Sequence, residues 1–297
     1  MRKFALPQLG VMAVRGADAR KFLQGQLSQD VLTLAPGELR LSGCHNAQGR
    51  VLAVLWLCAD GDDVLALSSP ELLPDLIASL RRFTLRAKVA LTDETAHWRV
   101  TGLAAATAAD AAALPQLEGL RLFARGSSGR RWIALQRAEA KDVLGDIAVS
   151  GVDMDNTWAL LEIADGLPQV SLATRGEFVA QMLNLDVLGG VAFDKGCYTG
   201  QEVIARAHYR GRVKRRAQRF HSTEPASAWP AGASGRLQDG RRFQIVLSAA
   251  TPDGGSEWLA VTPTAPTEDL ENTADGGAGA VRVVAAQAMP LPFALPA

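Results

Sequence analysis

The sequence predicts an α+β protein that closes in an all-β C-terminal domain. Over the first ninety residues, strand and helix signals alternate in the order β-α-β-β-(β)-α-β, the pattern of a split, ferredoxin-like unit. After about residue 213 helical periodicity is lost. Apolar runs there alternate with Gly-, Pro- and Asp-rich turns, as in a small antiparallel barrel or sandwich. The 297 residues suit about two domains and a sizeable core without staples. The expected division is residues 1–212 and 213–297.

Residues 9–14 read as a short strand. Residues 17–27 carry Ala19, Phe22, Leu23 and Leu27 on one helical face. Strands at 39–44 and 50–58 flank the turn-like Asn46-Ala47-Gln48-Gly49, and 64–67 follows. Ser69 is the expected cap of a helix with Pro70 at its first position and Leu72, Leu73, Leu76, Ile77 and Leu80 as its buried stripe. Residues 84–89 alternate strictly, predicting a strand with Leu85, Ala87 and Val89 inward.

A second α+β stretch is expected, with strands at 98–103, 120–125 and 132–136 and an Ala-rich helix at 104–114. A further helix at 156–165 has Gly166 as its stop and Pro168 just beyond. The C-terminal strands are predicted at 213–220, 242–247, 258–263 and 280–289, with a polar hairpin tip at 262–279.

Composition excludes several classes. With 31 Lys+Arg against 31 Asp+Glu and 48% hydrophobic residues, the chain is neither disordered nor a dedicated polyanion binder. Its three cysteines, Cys44, Cys58 and Cys197, have no paired spacing, so no disulfide framework is implied. Pro7, Gln8 and Gly10 break the N-terminal apolar stretch, and the longest apolar run falls well short of a membrane span. A cytoplasmic protein with reduced thiols is expected, with no membrane association.

Chemistry concentrates in Lys195-Gly196-Cys197-Tyr198-Thr199-Gly200-Gln201-Glu202. Thr199-x-x-Glu202 satisfies a capping box, and Tyr198 and Val203 fall where a hydrophobic staple would. Packing and capping thus explain four positions, but not Cys197. Its place before a helix start, two residues from Lys195, favours the thiolate. A small buried hydrophobe is the alternative. Residues 204–219 hold seven basic residues and no acid. Either this is a solvated face, or it meets a polyanion such as RNA phosphate or the glutamates of a cofactor tail. Only Tyr209 interrupts the run, so a stacking platform is not expected.

The segment KGCYTGQEVIARAHYRGRVKRRA, from Lys195 to Ala217, resembles the YgfZ-type folate-binding proteins, relatives of the glycine-cleavage T-protein, an aminomethyltransferase. The likeness extends through FVAQMLNL at 178–185 and LGGVAF at 188–193, with weaker echoes in FLQGQLSQD at 22–30 and FTLRAKV at 83–89. It implies a T-protein-like ring of two α+β subdomains and a C-terminal antiparallel β-barrel around a channel for tetrahydrofolate or a one-carbon derivative. It also implies support of iron–sulfur cluster enzymes, including tRNA-modifying ones, through Cys197 with Lys195. Folate contacts are expected from Gln181, Asn184, Tyr198, Gln201, Glu202 and Arg206. tRNA is a permitted partner.

The chain departs from the T-protein where that enzyme carries acids. The aspartate-bearing run matches Gly49-Arg50-Val51-Leu52-Ala53-Val54, which has no carboxylate, and Ala164 stands where a glutamate holds the pterin. Aminomethyl transfer is therefore not the expected activity. Ala180 replaces the usual proline of Phe-x-Pro-Gln. Cys44, His45 and Cys58 with His97, His208 or His221 lack metal-ligand spacing, so no metal site is expected. Gln8, Asn46 and Arg86 are candidates to line a channel.

Overall fold

The computed structural model describes residues 1–107, 109, 119–126, 128–145, 156–265 and 282–296. Its strands form three sheets. In the first, β1 (Arg2–Ala5), β7 (Trp98–Ala104), β9 (Arg131–Arg137) and β8 (Leu120–Ala124) lie side by side in that order, all antiparallel. The second has the order β3 (Arg40–His45), β4 (Val51–Asp60), β5 (Asp63–Ser68), β2 (Gly10–Arg15), β6 (Ala90–Asp93). Its run β4-β5-β2-β6, with helices α1 (Ala19–Gln24) and α2 (Leu73–Arg81), is the expected split unit, and β3 adds an edge strand.

The third sheet runs β14 (Val283–Val284), β11 (Ser234–Leu237), β12 (Arg242–Ala250), β13 (Ser256–Pro263), β10 (Arg215–Ser222), β15 (Ala286–Met289), and curls into a nearly closed barrel. Two further helices, α3 (Asn156–Ala164) and α4 (Gln201–Tyr209), belong to the segment between the sheets.

Side-chain parity explains why the second sheet reads as apolar runs. Val11 and Ala13 of β2 and Leu65 and Leu67 of β5 enter one core with Phe4, Phe123 and Ile133 of the first sheet. Met12, Val14, Val64 and Ala66 point the other way, into a core with Phe22, Leu23, Leu76 and Ile77 of the helices. Both faces are covered, so both parities must be apolar. The barrel repeats the device. Trp258 and Ala260 of β13 fill its interior with Phe220 and Phe243, whereas Leu259 and Val261 join the large core with Ala217, Val246 and Ala249. The barrel's outer face is therefore packed on the rest of the protein, and burial is continuous across residue 213.

Several boundaries differ from expectation for local reasons. Residues 84–89 are not a strand: Leu85 has φ 30° and is 91% exposed, and β6 begins only at Ala90. The strict alternation there comes from a solvated turn. Ser69 makes no side-chain cap, because Pro70–Leu72 forms a 3₁₀ turn before α2 starts, although the expected stripe is buried. Strand β11 lay unseen in a short, Gly-containing segment. Gly166 ends α3 at φ 68°, as expected. The helix expected at 104–114 lies largely outside the described residues, as does the hairpin tip at 262–279. Among the described residues, no helix is long and apolar enough to cross a membrane.

Candidate functional site

A cavity of about 300 Å³ opens where all three sheets contribute, at the small end of the size range of ligand sites. The β1–β2 connection supplies Gln8, β4 supplies Trp56, α3 supplies Trp158 and Glu162, and β12 supplies Ser248. Gly102 makes the Trp158 wall possible: a Cβ there would lie 2.6 Å from the indole. The polar end is built from charge. Arg125 forks onto Glu162, its Nε donating to Oε1 at 3.1 Å and Nη2 donating to Oε2. Arg131 donates to Glu162 Oε1 at 2.9 Å and also holds Asp165. The Arg125 guanidinium lies 3.5 Å over the Trp56 ring, a cation–π contact in a dry setting.

Burial pulls the Arg125 pKa down from its ordinary value, opposed chiefly by Glu162. Two buried polar atoms of lining residues lack partners: Gln8 Oε1, an acceptor, and Arg125 Nη1, a donor. Such orphans are costly unless a ligand or water satisfies them. These two atoms set an unpartnered donor nitrogen and an unpartnered acceptor oxygen among lining residues that include two indoles, an arrangement suited to a flat, polar heterocycle.

The motif around Cys197 is a separate construction. The Lys195 ammonium donates to the carbonyls of Gln24, Leu27 and Gln29 at 2.7, 2.7 and 2.9 Å. An ammonium has three N–H donors, so none remains for the thiol. Burial brings this lysine's pKa down to about 8, opposed by the charge of Asp30. Lys195 is thus a clamp that fastens the loop to the end of α1 and the turn beyond it, with all three of its N–H donors engaged there. Tyr198 is buried, with Lys195 Nζ 5.0 Å from its ring centroid. Gly200 has φ 81°, and a Cβ there would lie 2.5 Å from the Asn46 carbonyl oxygen and 3.0 Å from Gly49 Cα. Glycine is required, because the loop lies directly on the β3–β4 hairpin.

This geometry replaces the expected capping box. The N-cap of α4 is Gly200, with no side-chain cap, and Val203 is 40% exposed instead of stapling Tyr198. Cys197 is left exposed, whereas Cys44 and Cys58 are buried. Burial pushes both of those thiols up to about 12. Beneath the loop, His45 is 2% exposed with neither ring nitrogen partnered, and burial depresses its pKa to about 3.

The six residues expected at the folate fall into two groups, and none lines the cavity. Gln181 and Asn184 are internal latches: their amides donate to the carbonyls of Ile204 and Ala217 at 2.7 and 2.8 Å, and Tyr198 is core. Gln201 begins α4. Glu202 and Arg206 form an i,i+4 surface pair, 85% and 72% exposed. Of the channel candidates, Gln8 lines the cavity. Asn46 instead closes the hairpin turn by accepting from the Gln48 and Arg50 amides, and Arg86 sits in the exposed turn before β6. Glu162 and Arg125 were missed, although one acid in the apolar stretch 158–164 was a readable signal. The basic run also divides, since Arg216 forms a buried bidentate pair with Asp186 and Arg219 pairs with Glu257. Among the described residues, no group of three His, Cys, Asp or Glu gathers as a metal site would need.

No model of a known protein family matches the chain. Among curated proteins, it is 32% identical over 269 residues to the "tRNA-modifying protein YgfZ" of Escherichia coli O157:H7 (strain EC4115 / EHEC), covering 84% of this chain and 81% of that one. The chain belongs to the YgfZ family. The equivalent proteins of Vibrio vulnificus (strain CMCP6) and Shigella sonnei (strain Ss046) are each 30% identical, over 75% and 71% of this chain and 71% and 68% of theirs. The fold of the chain is like that of the T-protein: a glycine cleavage system aminomethyltransferase T from Bartonella henselae superposes with TM-score 0.62, at 18% identity, over 88% of this chain and 78% of that one. That likeness concerns architecture alone. The curated relatives bear out the expected family, and the T-protein likeness bears out the expected fold class, three sheets with a barrel-like C-terminal sheet.

Proposed function

We propose that this YgfZ-family chain binds tetrahydrofolate, or a one-carbon derivative, in the cavity between its three sheets. We further propose that exposed Cys197 serves the assembly or repair of cytoplasmic iron–sulfur enzymes, tRNA-modifying ones among them. The observation that supports the folate half is the pair of orphaned atoms, Gln8 Oε1 and Arg125 Nη1, at a cavity walled by Trp56 and Trp158. A pterin ring carries both donors and acceptors on a flat edge and so fits that set. When bound, the folate supplies a carrier for a one-carbon unit. The chain's own part is to orient it: Arg125, fixed by Glu162, keeps one donor aimed outward from the pair, and the indoles exclude water from the ring faces.

Aminomethyl transfer has less support. Ala53 is core, Ala164 offers no acid, and both oxygens of Glu162 are held by Arg125 and Arg131. The thiol half of the reading is supported by presentation: clamps at Lys195, Tyr198 and Gly200 fix a loop whose remaining reactive side chain faces solvent.

The test is genetic and chemical together. In cells lacking this protein, the wild-type chain should restore thiolated nucleosides in bulk tRNA, read by mass spectrometry, and Cys197→Ser should not. The purified Cys197→Ser protein should still bind tetrahydrofolate. Full restoration by Cys197→Ser would remove the thiol from the account.

A further inference from the structure

The structure brings together an aromatic cluster that the sequence had dispersed. Phe193 stacks on His208 at 3.7 Å between centroids with rings 16° apart, and Tyr209 stands edge-on to both, at 6.0 and 4.7 Å. Tyr209 is 67% exposed and His208 is also exposed, so their outer surfaces are wet. Phe193 is half-buried against the large core, and it carries the two exposed rings outward from it. Beside it, Arg210, Arg212 and Lys214 are exposed, and no carboxylate among the described residues pairs with any of them.

Of the other charges near this face, most are engaged, and one exposed carboxylate, Asp194, stands against the exposed cations. Glu202 is paired with Arg206, Asp186 with buried Arg216, and Lys195 is caged by carbonyls. His208 and Arg212 also line a cavity of about 560 Å³ with Asp186 and Arg216, and the buried Nε of Arg216 has no partner. Cys197, exposed, lies four residues along the chain from Phe193.

We propose that this face binds single-stranded RNA, with a base stacked on the exposed Tyr209 ring, which His208 and Phe193 brace edge-on, and successive phosphates on Arg210, Arg212 and Lys214. Flat rings next to unpaired cations are the means by which proteins hold single strands, through stacking that tolerates any base and charge that tracks the backbone. A duplex would satisfy the arginines but could not use the rings, since its bases are already stacked. A protein partner would have three uncompensated cations to desolvate. The proposal rests on the preceding reading only in taking tRNA as the physiological strand, with its modified loop presented beside Cys197.

The experiment is fluorescence anisotropy with a labelled single-stranded RNA of about 10 nucleotides and the full chain, at several salt concentrations, with a duplex of the same sequence for comparison. Wild type should bind the single strand more tightly than the duplex, with affinity falling as salt rises. Tyr209→Ala should weaken binding about 5- to 150-fold, from the loss of one stacked base, and Tyr209→Phe should restore it. Arg212→Ala with Lys214→Ala should lower the log–log salt slope by about 1.4, from about 0.7 per phosphate contact on a single strand. Tetrahydrofolate titrations on the same variants should match wild type, so failure here is distinguishable from failure of the folate reading. Tyr209→Ala binding like wild type, preference for the duplex, or no salt-dependent binding would each overturn the proposal. So would a client enzyme occupying this face while the RNA stays free.

Discussion

Lys195→Met separates a clamp from a thiol activator. The lysine donates to three carbonyls, at the last residue of α1 and in the turn that follows, at 2.7–2.9 Å. A hydrogen bond to a charged group is worth about 1.5–3 kcal/mol when buried. This side chain is only half-buried, and water can reach some of the freed carbonyls, so roughly half of the summed value survives screening. The expected loss is about 2–4 kcal/mol, read as a lower urea midpoint by tryptophan fluorescence. Native-state alkylation of Cys197 at fixed pH should change by less than about twofold, because the ammonium makes no bond to the sulfur. Lys195→Arg should lose part of the stability as well, since a planar guanidinium cannot converge on three carbonyls as a compact ammonium does. An unchanged urea midpoint together with a tenfold slower alkylation would refute the clamp and restore the lysine as the thiol's electrostatic partner.

Iodoacetamide should modify Cys197 in the folded protein and spare Cys44 and Cys58, whose burial raises their pKa to about 12; peptide mapping checks this. Gly200→Ala should cost about 2–4 kcal/mol, from a left-handed backbone plus contact with the Asn46 carbonyl, measured by denaturation. His45 gives an acid limb: unfolded it binds a proton below about 6.5, folded only below about 3. Between those values the unfolded state holds the extra proton, so stability falls as pH drops, at up to about 1.4 kcal/mol per pH unit. His45→Gln should flatten that limb in pH-dependent melts, and an unchanged slope would assign it elsewhere.

The fold was legible where apolar periodicity was long. The α2 stripe, the β3–β4 hairpin and the Gly166 stop all stand as read. It failed where alternation had another cause, as at Leu85, whose positive φ puts it in a turn. The motif was legible as special, but its parts were misassigned. Thr199-x-x-Glu202 has the spacing of a capping box, yet the contact of Gly200 with the Asn46 carbonyl is long-range, and that contact decides where the helix begins. Lys195 read as a neighbour that favours the Cys197 thiolate, and only the tertiary fold shows the end of α1 and the turn after it presenting three carbonyls to it. The cavity was least legible of all. Gln8, Trp56, Arg125 and Glu162 come from four separate segments, and nothing local marks them as neighbours.

The most direct test of the account is a calorimetric titration of the full chain with tetrahydrofolate under anaerobic conditions, on wild type and two variants. One is Ser248→Trp, which fills the cavity from β12; the other is the surface triple Gln201→Ala, Glu202→Ala, Arg206→Ala. The account predicts saturable binding by wild type and by the triple variant, and loss of binding in Ser248→Trp with its urea midpoint retained. Binding that survives in a folded Ser248→Trp and disappears in the triple variant would contradict it, and would move the folate to the start of α4.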